Sequence, residues 1–304
     1  SKQQAAAPSR CHALPAVMLA SVRGRFRHWA RRPKRSGANF RKKPEMDIAY
    51  LRQWIGREEA SEDILTSALV ARFNATFDRN DAAPALIHLC LCLPAAPTAS
   101  LGPDGHPARG GFLPPVPLQR RMWAGGSFTF LAPIRTGEPI QRRSRIVDIT
   151  AKAGRSGPLC FVTVEHDLTQ DNALLISERH DIVYRDPAPA LPAAGPAPLG
   201  QNSRRVTPSA ALMFRYSALT FNGHRIHYDT PYSTGEECYP GLVVHGPMQA
   251  TLLCQMAQDL KGAMPRQFDF RSQTPLFDTS DFTLNAEEVP GGLRLWTAAM
   301  GGPV

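Results

Sequence analysis

Residues 214–248 read FRYSALTFNGHRIHYDTPYSTGEECYPGLVVHGPM. Two polar clusters, Asn222–His227 and His245–Gly246, lie 18 residues apart inside apolar sequence. The first holds the pair Asn-Gly and no apolar run, so it predicts a turn. The second opens an apolar segment with Pro247 near its start and Gly262 at its end, the asymmetry of a helix over about 247–263. An imidazole on a loop followed by a helix N-terminus is a layout that can polarise a carbonyl, because the first N–H groups of a helix lack intrahelical partners and carry partial positive charge.

Working outward, an apolar run at 209–220 precedes the loop, and strands are expected near 268–273, 282–288 and 293–299. Upstream, PAPALPAAGPAPLG at 187–200 is a Pro/Ala linker and the clearest boundary in the chain. Before it, segments 126–134, 139–152, 158–170 and 173–185 read as four strands separated by short turns, hence an antiparallel sheet. Ahead of these, Ser61–Asp78 predicts a helix with Ser61 as N-cap. Residues 94–117 are Pro/Gly-rich and predict a long surface loop of the kind that often carries function. Cys90 and Cys92, two apart in apolar sequence, would share one face of a strand. Helix plus sheet thus occurs twice.

The stretch 214–248 resembles the signature of the MaoC-type enoyl-thioester hydratases: Ile226-His227 and His245-Gly246 match, while Asn222 stands where most members carry Asp and Arg225 replaces Pro. The wording TFNGHRIHYD is similar to a two-hotdog subgroup that includes the type 2 hydroxyacyl-thioester dehydratases. The resemblance runs from about Met46 onward and implies an α+β fold of two tandem hotdog domains, each a long helix wrapped by antiparallel sheet, forming an internal pseudo-dimer. The expected organisation is a basic leader at 1–45, an acyl-pocket hotdog at 46–186, the linker, and a catalytic hotdog at 201–304. The last strands look one short of the family pattern.

What the resemblance implies chemically is reversible addition of water at C2–C3 of an acyl thioester. His227 would move the proton, since imidazole titrates near neutrality. Asn222 would hold the water but cannot act as base, because an amide does not titrate there, which leaves Asp229 and His224 as helpers. Gly246 would offer its N–H to the thioester oxygen. His245, Tyr216, Tyr228 and above all Arg225 are expected at the substrate, and Arg120 and Arg121 beside Trp123 as a possible CoA clamp. The leading acyl group is a short branched dicarboxylate on CoA; a 3-hydroxyacyl chain on acyl-carrier protein and a non-catalytic thioester binder are the alternatives. A thioesterase would need a carboxylate at the thioester; Glu236 and Glu237 read as a solvated turn.

Composition narrows the partners. Of 35 Lys and Arg, 12 lie in residues 1–45 with Glu45 the single acid, so the remaining 23 basic and 25 acidic residues give a net charge of −2. The body therefore has no electrostatic footprint for nucleic acid. The leader reads as a disordered tail, sequence ahead of a start at Met46, an organelle-targeting peptide or an acidic-surface binder. No run approaches the roughly 18 apolar residues of a membrane span. Six cysteines without paired CxxC motifs predict neither a zinc site nor a disulfide scaffold. No cofactor, no metal, no membrane and a cytoplasmic monomer or homodimer are expected, with the mitochondrial matrix as alternative if the leader is a transit peptide.

Overall fold

The structure, a computed structural model, describes residues 46–154, 157–187 and 197–300. The leader, most of the Pro/Ala linker and the last four residues lie outside the described residues.

The first elements are α1 (Ile48–Leu51), with Asp47 accepting from the Tyr50 amide, and β1 (Glu58–Ile64). The helix expected from Ser61 starts later: α2 is Ser67–Phe77, capped by the Thr66 side chain on the Leu69 amide. Ser61-Glu62-Asp63 belongs to β1, which pairs antiparallel with β3, and Asp63 accepts from the Cys92 amide. Glu58 pairs with Arg143 at 2.7 Å, and Glu62 accepts from Gln141. A cross-strand match of opposite charge outweighs a weak local capping preference. Cys90 lies in a short 3₁₀ turn and Cys92 has φ 54°, so the expected strand there does not form.

Four long strands follow, the first starting earlier than the expected 126–134 and the other three close to their expected ranges: β2 (Arg120–Phe130), β3 (Pro139–Gly154), β4 (Gly157–Gln170) and β5 (Ala173–Arg185). Along β4, Cys160, Val162, Val164, His166 and Leu168 are buried in period-two alternation. The second half contributes β6 (Asn202–Val206), α3 (Ala210–Leu219), α4 (Gly246–Lys261), β7 (Gln267–Arg271), β8 (Phe282–Val289) and β9 (Gly292–Ala299). One sheet has the order β1-β3-β4-β5-β2-β7, the other β6-β8-β9. The halves are stitched where β7 pairs antiparallel with β2, Gly125 opposite Arg271 through Thr129 opposite Gln267. Gly125 makes this close approach possible: a Cβ there would lie 2.8 Å from the Phe270 carbonyl oxygen of β7.

Helix α4 is the central rod. Its Met248, Leu253, Cys254 and Met256 pack with Phe128 and Phe268 of one sheet and Phe282 and Leu284 of the other. Each fully buried side chain of this size contributes about 1.5–3 kcal/mol. Arg79 bridges to Asp259 on α4 at 2.7 Å. The architecture is the double hotdog.

Candidate active site

A cavity of about 1490 Å³ lies along α4 and the β2–β7 seam, with His106, Asn222, His224, His227 and Gly246 in its wall. His227 ends a 3₁₀ turn, Arg225–His227, and is fully packed. Its Nδ1 lies 2.7 Å from the Val243 carbonyl oxygen. A carbonyl only accepts, so Nδ1 carries the proton and Nε2 keeps its lone pair. The contact is held by the backbone, for the Val243 amide donates to the Ile226 carbonyl at 2.9 Å. Burial pushes the His227 pKa down to about 4, against the opposing pull of the Val243 carbonyl. The ring is therefore a neutral base at pH 7.

His245 stacks on His227 with centroids 3.8 Å apart and bonds Ser217 Oγ through Nε2 at 2.8 Å. Burial, with His227 and His224 adjacent, holds it well below the usual imidazole range. It is the N-cap residue of α4, so one residue both stacks on the His227 ring and starts the helix. Gly246 follows in the cavity wall. A Cβ there would meet Trp123 at 3.6 Å and Ser272 at 3.9 Å, ordinary contacts, so the protein itself does not require glycine. Its absence of a side chain keeps room in the cavity beside a helix-start N–H, and Pro247 has none to offer.

Asn222 accepts from the His224 amide at 3.0 Å through Oδ1, an Asx turn that shapes the loop. Its NH2 has no hydrogen-bond partner among the described residues and remains for a ligand. Asp229 caps the turn that follows, accepting from the Tyr232 amide, and pairs with Arg225 at 2.8 Å.

Four expected substrate contacts fall elsewhere, and the first is His245, fully buried against Ser217 and His227 and absent from the cavity wall. The Arg225 guanidinium bonds Asp229 and the Pro103 carbonyl and lies 4.1 Å over the Tyr232 ring, so it anchors the loop. Tyr228 is half exposed and donates to the Gly223 carbonyl. Tyr216 is buried under His245, centroids 5.1 Å apart, behind the cavity wall. Arg120 is buried against Glu237 at 2.7 Å, and Glu237, expected in a solvated turn, is buried with it. Arg121 and Trp123 do line the cavity.

Sequence reading missed His106, brought in by the long loop of the first half. Asp104 accepts from the His106 amide and faces its Nδ1 at 3.3 Å. The signal was Gly-Pro-Asp-Gly-His-Pro at 102–107, turn chemistry with a titratable residue at its end. Gly105 has φ +85° and touches the active-site loop, where a Cβ would meet the Gly223 carbonyl oxygen at 1.9 Å. Away from the histidines, Lys261, Arg266 and Arg294 border the cavity, Lys261 paired with Glu288 and Arg294 with Glu287.

Two donor groups have ligand atoms within 4.8 Å of one another, Asp104–His106–His224 and His166–Glu178–His180. In the first, the imidazole centroids lie 4.1 Å apart with the planes tilted by 42°. In the second, Glu178 already bonds His88 at 2.9 Å and lies 3.3 Å from His180.

The match to known proteins agrees with this geometry. Residues 86–278 match the family model of hydroxyacyl-thioester dehydratase type 2. Mesaconyl-C(4)-CoA hydratase of Chloroflexus aurantiacus is 47% identical over 267 residues, covering 84% of this chain and 95% of that protein. The mitochondrial hydroxyacyl-thioester dehydratase type 2 of Schizosaccharomyces pombe is 27% identical over 60% of this chain and 70% of its own. Among solved structures, a MaoC-like dehydratase from Phytophthora capsici superposes with TM-score 0.62 at 12% identity, over 84% of this chain and 95% of its own. HtdX of Mycobacterium tuberculosis gives 0.59 at 18%, over 81% and 96%. The chain belongs to the hydroxyacyl-thioester dehydratase type 2 family and is an enzyme of the hydratase–dehydratase class.

Proposed function

We propose that this enzyme hydrates the C2–C3 double bond of a short branched dicarboxylyl-CoA, with mesaconyl-C4-CoA as leading substrate. The observation that carries the reading is His227, neutral, fixed by the Val243 carbonyl in the tautomer that leaves Nε2 as base. Water held between Nε2 and the Asn222 amide loses a proton to His227 as its oxygen bonds C3. The π pair moves onto C2 and the thioester oxygen, where the Gly246 N–H at the start of α4 stabilises the developing charge. His245 keeps the His227 ring in plane. CoA enters as part of the substrate, and no further cofactor or metal is assigned a step. The 47% identity to a mesaconyl-C(4)-CoA hydratase supports the acyl group. The alternative, a 3-hydroxyacyl chain on acyl-carrier protein, draws on the matched family.

No helix among the described residues is long and apolar enough to cross a membrane. The described cysteines are all unbridged; our placement is the cytoplasm, with the mitochondrial matrix as alternative, and the Schizosaccharomyces pombe relative is by name mitochondrial.

The test is loss of enoyl-thioester ultraviolet absorbance with crotonyl-CoA, a longer 2-enoyl-CoA, mesaconyl-C1-CoA and mesaconyl-C4-CoA. Preference for the C4 thioester supports the proposal. Preference for the long chain moves the enzyme to fatty-acid metabolism. Binding without turnover on any of the four makes it a thioester-binding protein.

A further inference from the structure

Hydration needs a base for the water and an acid for C2, and the steps proposed above use one titrating group, His227. Asn222 cannot be the other. Asp229 is committed to Arg225 and the Tyr232 amide. We infer that His106, held by Asp104 on the long loop of the first half, is the second catalytic acid–base group of this site, standing in for the carboxylate that Asn222 replaces. The inference rests on the hydratase reading.

Four observations carry it. His106, His224 and His227 face one cavity in series, with centroids 4.1 Å apart for the first pair and 5.4 Å for the second. Asp104 lies 3.3 Å from His106 Nδ1, so it selects the tautomer with Nδ1–H and supports the imidazolium. His227 has only a carbonyl behind it, so a proton shared by the group resides at the Asp104 end. The loop is built for this placement. The Gly102 amide donates to the His106 carbonyl at 2.7 Å, the Arg225 amide donates to the Asp104 carbonyl at 2.9 Å, and Gly105 and Gly223 meet backbone to backbone. Arg225, with its hold on the Pro103 carbonyl, is explained as the clamp of this loop.

The proton balance closes. In hydration one water O–H bond breaks to His227 Nε2 while oxygen bonds C3. The His106 Nε2–H bond breaks to C2, its proton taken up by the π pair released onto C2. The proton on His227 then returns to His106 past His224, and one water has been added. Dehydration reverses each role.

The groups facing His106 set the pH dependence. Burial lowers its proton affinity, Asp104 raises it, and Arg121 of β2 and Arg109 of the loop oppose protonation. His224 and His227 on the facing loop add a like charge when protonated. The net effect, with burial the largest cause, holds His106 below the usual imidazole range, so hydration by the free enzyme rises as pH falls below that range, until His227 is itself protonated.

The experiment compares wild type, Asp104→Asn and His106→Gln in hydration of the preferred thioester across pH. Asn keeps the Oδ1 contact to the His106 amide, so the loop retains its anchor. The expected result is a loss of about 10²–10⁴-fold in kcat for His106→Gln. For Asp104→Asn the alkaline limb of the profile moves to lower pH with KM little changed. An active wild type with an unmoved limb in Asp104→Asn and less than threefold loss in His106→Gln overturns the dyad and leaves the hydratase standing. A wild type that hydrates no thioester overturns the hydratase reading and the dyad with it.

Discussion

The molecule contains two histidine groups of similar composition and opposite organisation. Around Glu178, in the first sheet, His88, His166 and His180 enclose a carboxylate with almost no exposure. Burial alone would raise the Glu178 pKa, but His180 and His88 hold it well below the carboxylate range. His166 is bonded to Ser144 at 2.7 Å and pushed by burial down to about 3. Along the cavity, His106, His224 and His227 have their carboxylate at one end, and His227 shows an unshared lone pair. A buried charge that is fully partnered is fixed in place; a chain of imidazoles with one partner at its end leaves protons to be moved. Each group has one carboxylate, and its position, at the centre of the first and at the end of the second, is what separates them.

Truncation of the carboxylate at the centre should break the first group most severely. Glu178→Ala leaves buried imidazoles facing no anion and should cost about 3–5 kcal/mol, read as a fall in Tm of roughly 10 °C. An unchanged Tm would make the network dispensable.

The next effect is pH. The folded-state pKa of His227 is about 4 against about 6.5 unfolded. A depressed imidazole contributes stability that is present above pH 6.5 and lost as pH falls towards 4, up to about 3 kcal/mol. His166 adds to the loss in the same direction. Chemical denaturation from pH 7 to 4.5 should show stability declining, with a smaller slope in His227→Gln. Equal slopes would show that His227 is not buried neutral.

Gly246→Ala sharpens the cavity side. The added methyl meets no clash within the protein, so Tm should hold while kcat falls about 10–100-fold because the space beside the helix-start N–H is filled. Undiminished turnover would remove Gly246 from the site. The smallest expected effect is at Arg225: Arg225→Ala should lower Tm by a few degrees and leave the KM for acyl-CoA within about twofold, since its guanidinium holds Pro103 and Asp229. A large rise in KM would restore it to the substrate.

Much of this was legible in the chain. Strands β2 to β5, α4 with Pro247 and Gly262, and the pairing of His227 with His245-Gly246 follow from period-two alternation, helix-end chemistry and motif. β1 was not, because its acids are placed by Arg143 and Gln141 some eighty residues away. The role of Arg225 was not, because its partners at Pro103 and Asp229 are set by the meeting of the two halves. His106 stayed hidden for the same reason: nothing local tells that Gly105 and Gly223 meet. Local pattern reads elements, whereas contacts between distant loops decide which of several polar residues reaches the cavity.

The central claim is that His227 Nε2 takes the proton of the attacking water. The most direct test is the hydration rate of the preferred enoyl-CoA by wild type and by His227→Gln at equal concentration, with Tm recorded for both. The account predicts a loss of about 10²–10⁴-fold with Tm changed by only a few degrees. Turnover within threefold of wild type in a folded His227→Gln protein would contradict it.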